Sequence, residues 1–361
     1  MKRVLPLAAL AVALVASAAS DSIIVLDATD NAPVIGATAF SRSGTIIGIT
    51  EADGRIDRIK PTSYPITVKC LGYAPADCEN GRETLRLIPA TYPLGEVTVT
   101  PYDRPIARII CYIREFTSGE TTTDTIQCFS EHMADFYIPT VKVKKFKGNK
   151  SPRIIKSKVY ERYANNQGTD SVKIPDHTHD DISWCELISF PSEKREEPEE
   201  LRSGATIHTS SGKSGAAAIH RKTGGIYTES IDYLADRKEH VYSPNFFKLM
   251  GFTIDITEMR GAWAYPQNDT GIHQPWDLLY GTFSLDITGR GKWIKKAFNA
   301  SEPVRMHAFY EIYPVSVEYV TVKEAKEQLN KKVPATKFRR SELAGPLSPS
   351  IESIVARASA K

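Results

Sequence analysis

The sequence predicts a mainly β chain whose second half is α+β. Three observations carry this: short apolar runs parted by turn signals over residues 21–100, longer runs that alternate polar and apolar residues beyond them, and only two stretches with helical spacing. A chain of 361 residues has length for about two domains, each able to bury its own core.

The chain opens MKRVLPLAALAVALVASAAS. Lys2 and Arg3 precede an apolar run from Val4 to Val15, and Ala16-Ser17-Ala18 follows, the layout of a secretory signal peptide over residues 1–18. The run is shorter than the roughly 20 residues needed to span a bilayer. The expectation is an exported chain, at the periplasm or outer membrane, with no transmembrane anchor after cleavage. Cleavage after Ala18 removes two basic residues and no acidic one, which takes the formal charge from +3 to +1. So neutral a chain has no global pull toward nucleic acid, which is excluded as a partner; any anionic partner must meet a local patch. Five cysteines (Cys70, Cys78, Cys111, Cys128, Cys185) permit up to two disulfides. Cys70 and Cys78 are the tempting pair, yet on one extended strand they lie roughly 26 Å apart at about 3.3 Å per residue, against the about 7 Å that a bridge allows.

Residues 21–100 read as "SIIVLDA", "ATAFSRSG", "TIIGIT", "YPITVKCLGY" and "ETLRLIPA", parted by "TDNAP", "EADG" and "ENG". Short strands at this spacing predict an antiparallel β-sandwich. Within "GITEADGRI" the pair Asp53-Gly54 suits a tight hairpin, since glycine adopts positive φ without strain. A calcium loop with Gly54 in sixth place needs Asp at 49 and Glu at 60, where Ile49 and Lys60 stand, so the stretch is a structural turn. Gly72 marks a second bend.

Five segments in this order, "APVIGATAF", "GITEADGRI", "VKCLGYAP", "LRLIP" and "LGEVTVT", resemble the carboxypeptidase-regulatory-like domain, a transthyretin-like β-sandwich of Bacteroidota envelope proteins and TonB-dependent receptors. The matching positions are Pro33, Gly36 and Ala37, then Thr50, Asp53 and Gly54, then Gly72 and Tyr73, then Glu96 to Thr100. Ile56 replaces the usual aromatic after the turn. The resemblance implies an accessory domain of the cell envelope, not a peptidase: no H-x-x-E pair and no H-E-x-x-H motif occurs.

"RPIARIICYIREFTSG" reads as an amphipathic helix opening a domain over 101–322: Ile106, Ile109, Ile110 and Ile113 recur at i, i+3, i+4 and i+7, Asp103 caps the start and Gly119 stops it. By that spacing Cys111 faces away from the isoleucine stripe. The alternating runs that follow predict half-exposed antiparallel strands. Residues 193–218 read as a charged, then Ser/Gly-rich mobile insertion. Over 323–361 "TVKEAKEQLNKK" predicts a short helix, and the composition from Pro334 a disordered tail.

Three candidate sites emerge. In "DHTHDDI", His177, His179 and Asp181 fall on one side of an extended segment and are zinc-ligand types; their spelling is similar to the metal motif of metallo-β-lactamase-like hydrolases, except that Ile182 stands where a histidine is needed. A metal-dependent hydrolase completed by a distant His220 or His240 is the rival to a non-enzymatic binding or assembly role. "VKVKKFKGNKSPRIIKSK" predicts a hairpin whose Lys142, Lys144, Lys156 and Lys158 form one basic face for envelope glycan or lipid headgroups, or else guard an edge strand. Trp263, Tyr265 and Trp276, with Tyr280 and Trp293, would stack on sugars if exposed, or fill a core. A further outer-membrane protein is the remaining class of partner.

Overall fold

A computed structural model describes residues 21–51, 53–81, 84–90, 103–149, 151–174, 188, 190–211, 217–235, 237, 241–244, 252–291, 303–330 and 338–360. Seven strands form the N-terminal unit: β1 (Asp21–Asp27), β2 (Thr38–Phe40), β3 (Ile46–Ile49), β4 (Arg55–Ile59), β5 (Ile66–Lys69), β6 (Ala76–Cys78) and β7 (Thr84–Leu87). They make two sheets, β4-β1-β7 and β3-β2-β5-β6. Alternation decides what each strand buries: Ile23 and Val25 of β1, Ile66 and Val68 of β5 and Leu85 and Leu87 of β7 meet Ile56, Ile59 and Tyr73 in one core. The sandwich expected from the sequence is present, with one departure: β1 pairs with β7 in parallel.

The turn at Asp53-Gly54 also differs from a plain hairpin. Gly54 has φ +75° and its N–H bonds to the Glu51 carbonyl at 2.9 Å, while Asp53 Oδ1 accepts from Arg55 N at 3.0 Å. The positive φ is as expected, but β3 and β4 lie in different sheets. The glycine therefore turns the chain across the sandwich, with its Cα against the β1 backbone. Gly72 has φ +87° at its bend.

The second unit is one ten-stranded antiparallel sheet, ordered β11-β10-β9-β8-β19-β18-β16-β15-β14-β13. Its strands are β8 (Ile106–Glu120), β9 (Asp124–Pro139), β10 (Arg153–Asn165), β11 (Asp170–Lys173), β13 (Ile207–Ser211), β14 (Ala217–Thr223), β15 (Ile226–Asp232), β16 (Phe252–Pro266), β18 (Tyr280–Gly291) and β19 (Val304–Val320). Short β12 (Arg195–Glu196) and β17 (Ile272–His273) pair with each other. Helix α1 (Glu199–Arg202) precedes β13, and α2 (Val322–Asn330) and α3 (Pro349–Ser359) follow the sheet.

The segment expected as an amphipathic helix is strand β8, paired with β9 in one register along its length and with β19 on either side of a register shift at Pro314 and Ser316. Its odd positions Ile109, Cys111 and Ile113 enter one core and its even positions Ile106, Tyr112 and Phe116 enter others. When both faces of a strand are covered nearly every position is apolar, so a helical period can be read into it by accident. Cys111 is accordingly buried, not turned outward.

The sheet curls. Phe190 stacks 4.3 Å from Phe136 of β9 and 6.2 Å from Trp263 of β16, ring centre to ring centre. Those strands are four places apart, about 19 Å on a flat sheet at the usual strand spacing, so one ring can bridge them only if they bend toward it. The inner face so formed holds the largest core, including Ile109, Phe136, Phe283 and Tyr310. The outer face carries the sandwich, α2 and α3.

The C-terminal segment is packed rather than disordered. Ile351 and Ile354 of α3 join Phe116, Phe129 and Tyr160 on the outer face. Arg340 forms a two-bond pair with buried Glu131, at 2.8 Å each, and Arg114 donates to the carbonyls of Ala344 and Gly345. The insertion expected as mobile contains α1, β13 and the start of β14, with Leu201 buried in the inner core. Cys70 and Cys111 are free thiols.

Candidate functional site

Two of the three expected sites change on folding, and the third is not described. His177, His179 and Asp181 lie outside the described residues, as does His240; among the described residues no group of three metal-ligating side chains comes together. His220 has both ring nitrogens engaged, with Ser210 Oγ at 2.8 Å and Tyr227 OH at 2.9 Å. Trp263 and Tyr265 are fully buried on the inner face and Trp276 packs against the same core, so they cannot offer faces to a sugar; Trp293 is outside the described residues.

The basic face divides. Lys142 and Lys144 sit exposed in the loop between β9 and β10, whose described residues form no strand and where Phe146 inserts beside Tyr137 and Val320. Lys156 and Lys158 lie on the outer face of β10 with both ammonium groups 5.3 Å from the Phe338 ring. Lys158 also helps hold the buried Glu131 carboxyl below its ordinary range; burial opposes this, and the Arg340 and Tyr112 hydrogen bonds overcome it. These two lysines fasten the C-terminal segment.

The seam between the sandwich and the outer face of the sheet is the site the sequence left unseen. Three adjoining cavities of about 130, 40 and 100 Å³ follow it, and Gly36 lines all three. Gly36 has φ +77°, and a Cβ there would meet nothing within 4 Å, so the missing side chain is open space. The cavity of about 130 Å³ is walled by Ile35, Ile49, Ile219, Ile231, Ala262 and Phe309, with Thr38, Ser230, Thr282 and Ser284 as hydroxyls. Strand alternation supplies the sheet wall: Ala217, Ile219 and Arg221 of β14 point to the sandwich, while Ala218, His220 and Lys222 point away. Cys70 lines the two smaller cavities, and burial pushes its thiol up to about 12.

Charged ties hold the seam at a fixed width. Arg221 donates to Tyr73 OH at 2.6 Å and stands 3.6 Å from Asp27, a buried carboxylate that also accepts from Tyr73 at 2.7 Å. Lys69 meets Glu311 at 3.3 Å, and Arg260 meets Glu51 at 3.3 Å. Phe40 wedges between Phe116 and Phe309 at ring distances of 5.8 and 5.5 Å. Each tie joins the sandwich to the sheet, so the cavities are enclosed by two layers clamped at several points.

The inner face carries its own polar groups. His132 Nε2 lies 2.9 Å from Glu115 Oε2 and Nδ1 lies 2.8 Å from Ser157 Oγ, while Tyr310 OH donates to Glu115 at 3.0 Å. Serine, histidine and carboxylate in that order let a histidine act as general base toward the serine, with the carboxylate orienting the ring. None of the three lines any of the cavities described above. The group joins β8, β9, β10 and β19 and satisfies a carboxylate with no exposed surface. A second network sets buried Glu197 between Lys222 at 2.5 Å and His273 at 3.1 Å, with His273 stacked 4.6 Å from Tyr227.

Compared with protein-family models and with curated proteins, the chain matches none. Among solved structures it is similar to one described as "lipid-protein interactions in lipovitellin", at 9% identity and a TM-score of 0.30, over 66% of this chain and 27% of that one. The chain thus spans about a quarter of that structure, and a likeness of this size carries no argument about fold or ligand.

Proposed function

We propose that this is a non-enzymatic binding protein of the cell envelope, at the periplasm or outer membrane, and that it holds a small ligand with an apolar body in the seam between sandwich and sheet. The observation that carries the reading is the run of three cavities meeting at Gly36, walled by aliphatic side chains and clamped by Phe40, Lys69, Arg221 and Arg260. Ligand sites are typically concave, mostly apolar and lie between domains, with a few polar groups to orient the ligand. The leader over residues 1–18 and the resemblance of 21–100 to an accessory envelope domain support the location.

The test uses 1-octanol as the probe. Binding to the folded state alone raises the melting temperature with ligand concentration, so the full chain should show a saturable rise. Ala262→Leu places a larger side chain in two of the cavities and should abolish the rise while the protein stays folded by circular dichroism. A wild-type melting temperature insensitive to 1-octanol, or an unchanged response in Ala262→Leu, would overturn the seam as the site.

A further inference from the structure

We propose that the seam cavity of about 130 Å³ beside Gly36 selects an organic cation, a primary amine carried on an apolar body, and that Glu258 is its counter-charge. This rests on the reading of the seam as a ligand site and names the chemistry of what it holds.

The argument begins with a bulge. The β16 to β18 register shifts between Ile256 and Glu258, which reverses the faces of β16. Ile254 and Ile256 belong to the inner core, whereas Glu258, Arg260, Ala262 and Ala264 follow one another on the outer face toward the sandwich. Arg260 and Ala262 line the cavity. Glu258 comes next along the same face, one strand repeat away, about 6.8 Å.

Charge is unbalanced there. Glu51 and Asp232 line the cavity, and Arg260 is the one cation among its described lining residues. Arg260 is already committed, donating to both Glu51 oxygens at 3.3 Å and to the Thr50 carbonyl at 3.4 Å. Across the ladder from Glu258 stands Asp286, whose Oδ1 is held by His307 at 2.7 Å. Glu258 Oε1 is shielded from solvent and meets no hydrogen-bond partner among the described residues. A carboxylate in that position costs free energy until a cation reaches it. An ammonium group with its hydrocarbon in the adjoining cavity satisfies both walls, whereas a carboxylate ligand would face three like charges.

The groups facing Glu258 also set the pH response. Burial raises its carboxyl to about 7; Arg260 opposes the rise, and Asp286, Glu51 and Asp232 add to it. The preference for a cation is therefore present above about pH 7 and fades below it as Glu258 takes up a proton. An alkylamine, with an ordinary value near that of lysine at about 10.4, stays charged throughout.

Calorimetric titration of the full chain with octylamine, 1-octanol and octanoate separates the head group from the shared chain. At pH 8 octylamine should bind about tenfold more tightly than 1-octanol, the size of one hydrogen bond to a charged group, and octanoate more weakly than either. Glu258→Gln should bring octylamine to the level of 1-octanol and leave 1-octanol unchanged, and at pH 6 the wild type should behave likewise. If 1-octanol binds as tightly as octylamine, or Glu258→Gln leaves the difference intact, the cation proposal is overturned while the apolar site stands. If none of the three binds, the site itself is overturned.

Discussion

At Gly54 the backbone leaves no alternative to glycine. A Cβ there would lie 2.5 Å from the Val25 carbonyl oxygen, in addition to the strain of φ +75°. Gly54→Val should therefore cost at least about 2 kcal/mol, more than surface substitutions cost. Urea unfolding measures it, and a change within about 0.5 kcal/mol would refute the assignment. His220 gives a residue-scale prediction of a different kind. Burial, with smaller contributions from His208 and Arg195, lowers it from its ordinary 6.5 to about 4. The unfolded chain then takes up the proton more readily than the folded one, so stability is held above about pH 6.5 and lost as pH falls toward 4. His307 acts in the opposite sense: burial lowers it, but the Asp286 hydrogen bond outweighs that and the net shift is upward. Its contribution is complete below its unfolded value and lost as pH rises through the folded one. Removing His220 (His220→Gln) should flatten the acid limb of a stability profile between pH 6.5 and 4, and an unaltered limb would assign the acid loss elsewhere.

Among the elements, the C-terminal segment has a role its composition conceals. It caps the outer face of β8, β9 and β10 through Ile351, Ile354 and Phe338, and it supplies Arg340 to Glu131 and carbonyls to Arg114. Deleting residues 338–361 leaves Glu131 buried without its guanidinium and uncovers Phe116, Phe129 and Tyr160. Losing the partner of a buried charge is among the costlier changes a protein can suffer. The truncated chain should melt several degrees lower and bind a hydrophobic dye, and an unchanged melting temperature would show the segment to be dispensable. Arg340→Met separates the causes, since it removes the charge and keeps α3.

For the molecule as a whole, the sandwich and the curled sheet share a core. Phe40 and Ile46 of the sandwich stand in one cluster with Phe116, Phe129 and Phe309 of the sheet. Urea unfolding should follow one cooperative transition. Phe40→Ala should cost about 3 to 5 kcal/mol, the usual range for a buried phenylalanine, and should weaken 1-octanol binding by loosening the seam. Two separated transitions in the wild type would mean that the units fold independently and that the seam is not a fixed site.

What the sequence determined by itself is local. The short strand runs of β1, β5 and β7, the positive φ at Gly54, the bend at Gly72 and the short helix α2 all depend on neighbours within a few residues, and each is present in the fold. Tertiary structure decided what depends on partners far along the chain. Strand β8 buries both faces because β9, β19, the sandwich and the inner core surround it, and that cover made its pattern imitate a helix. Trp263 and Tyr265 face inward because β16 reverses its faces at a bulge, which no periodicity announces. The seam joins Gly36 to Ala262 and Thr282 across more than 200 residues of chain. A cavity belongs to surfaces meeting, so only the assembled fold could decide it.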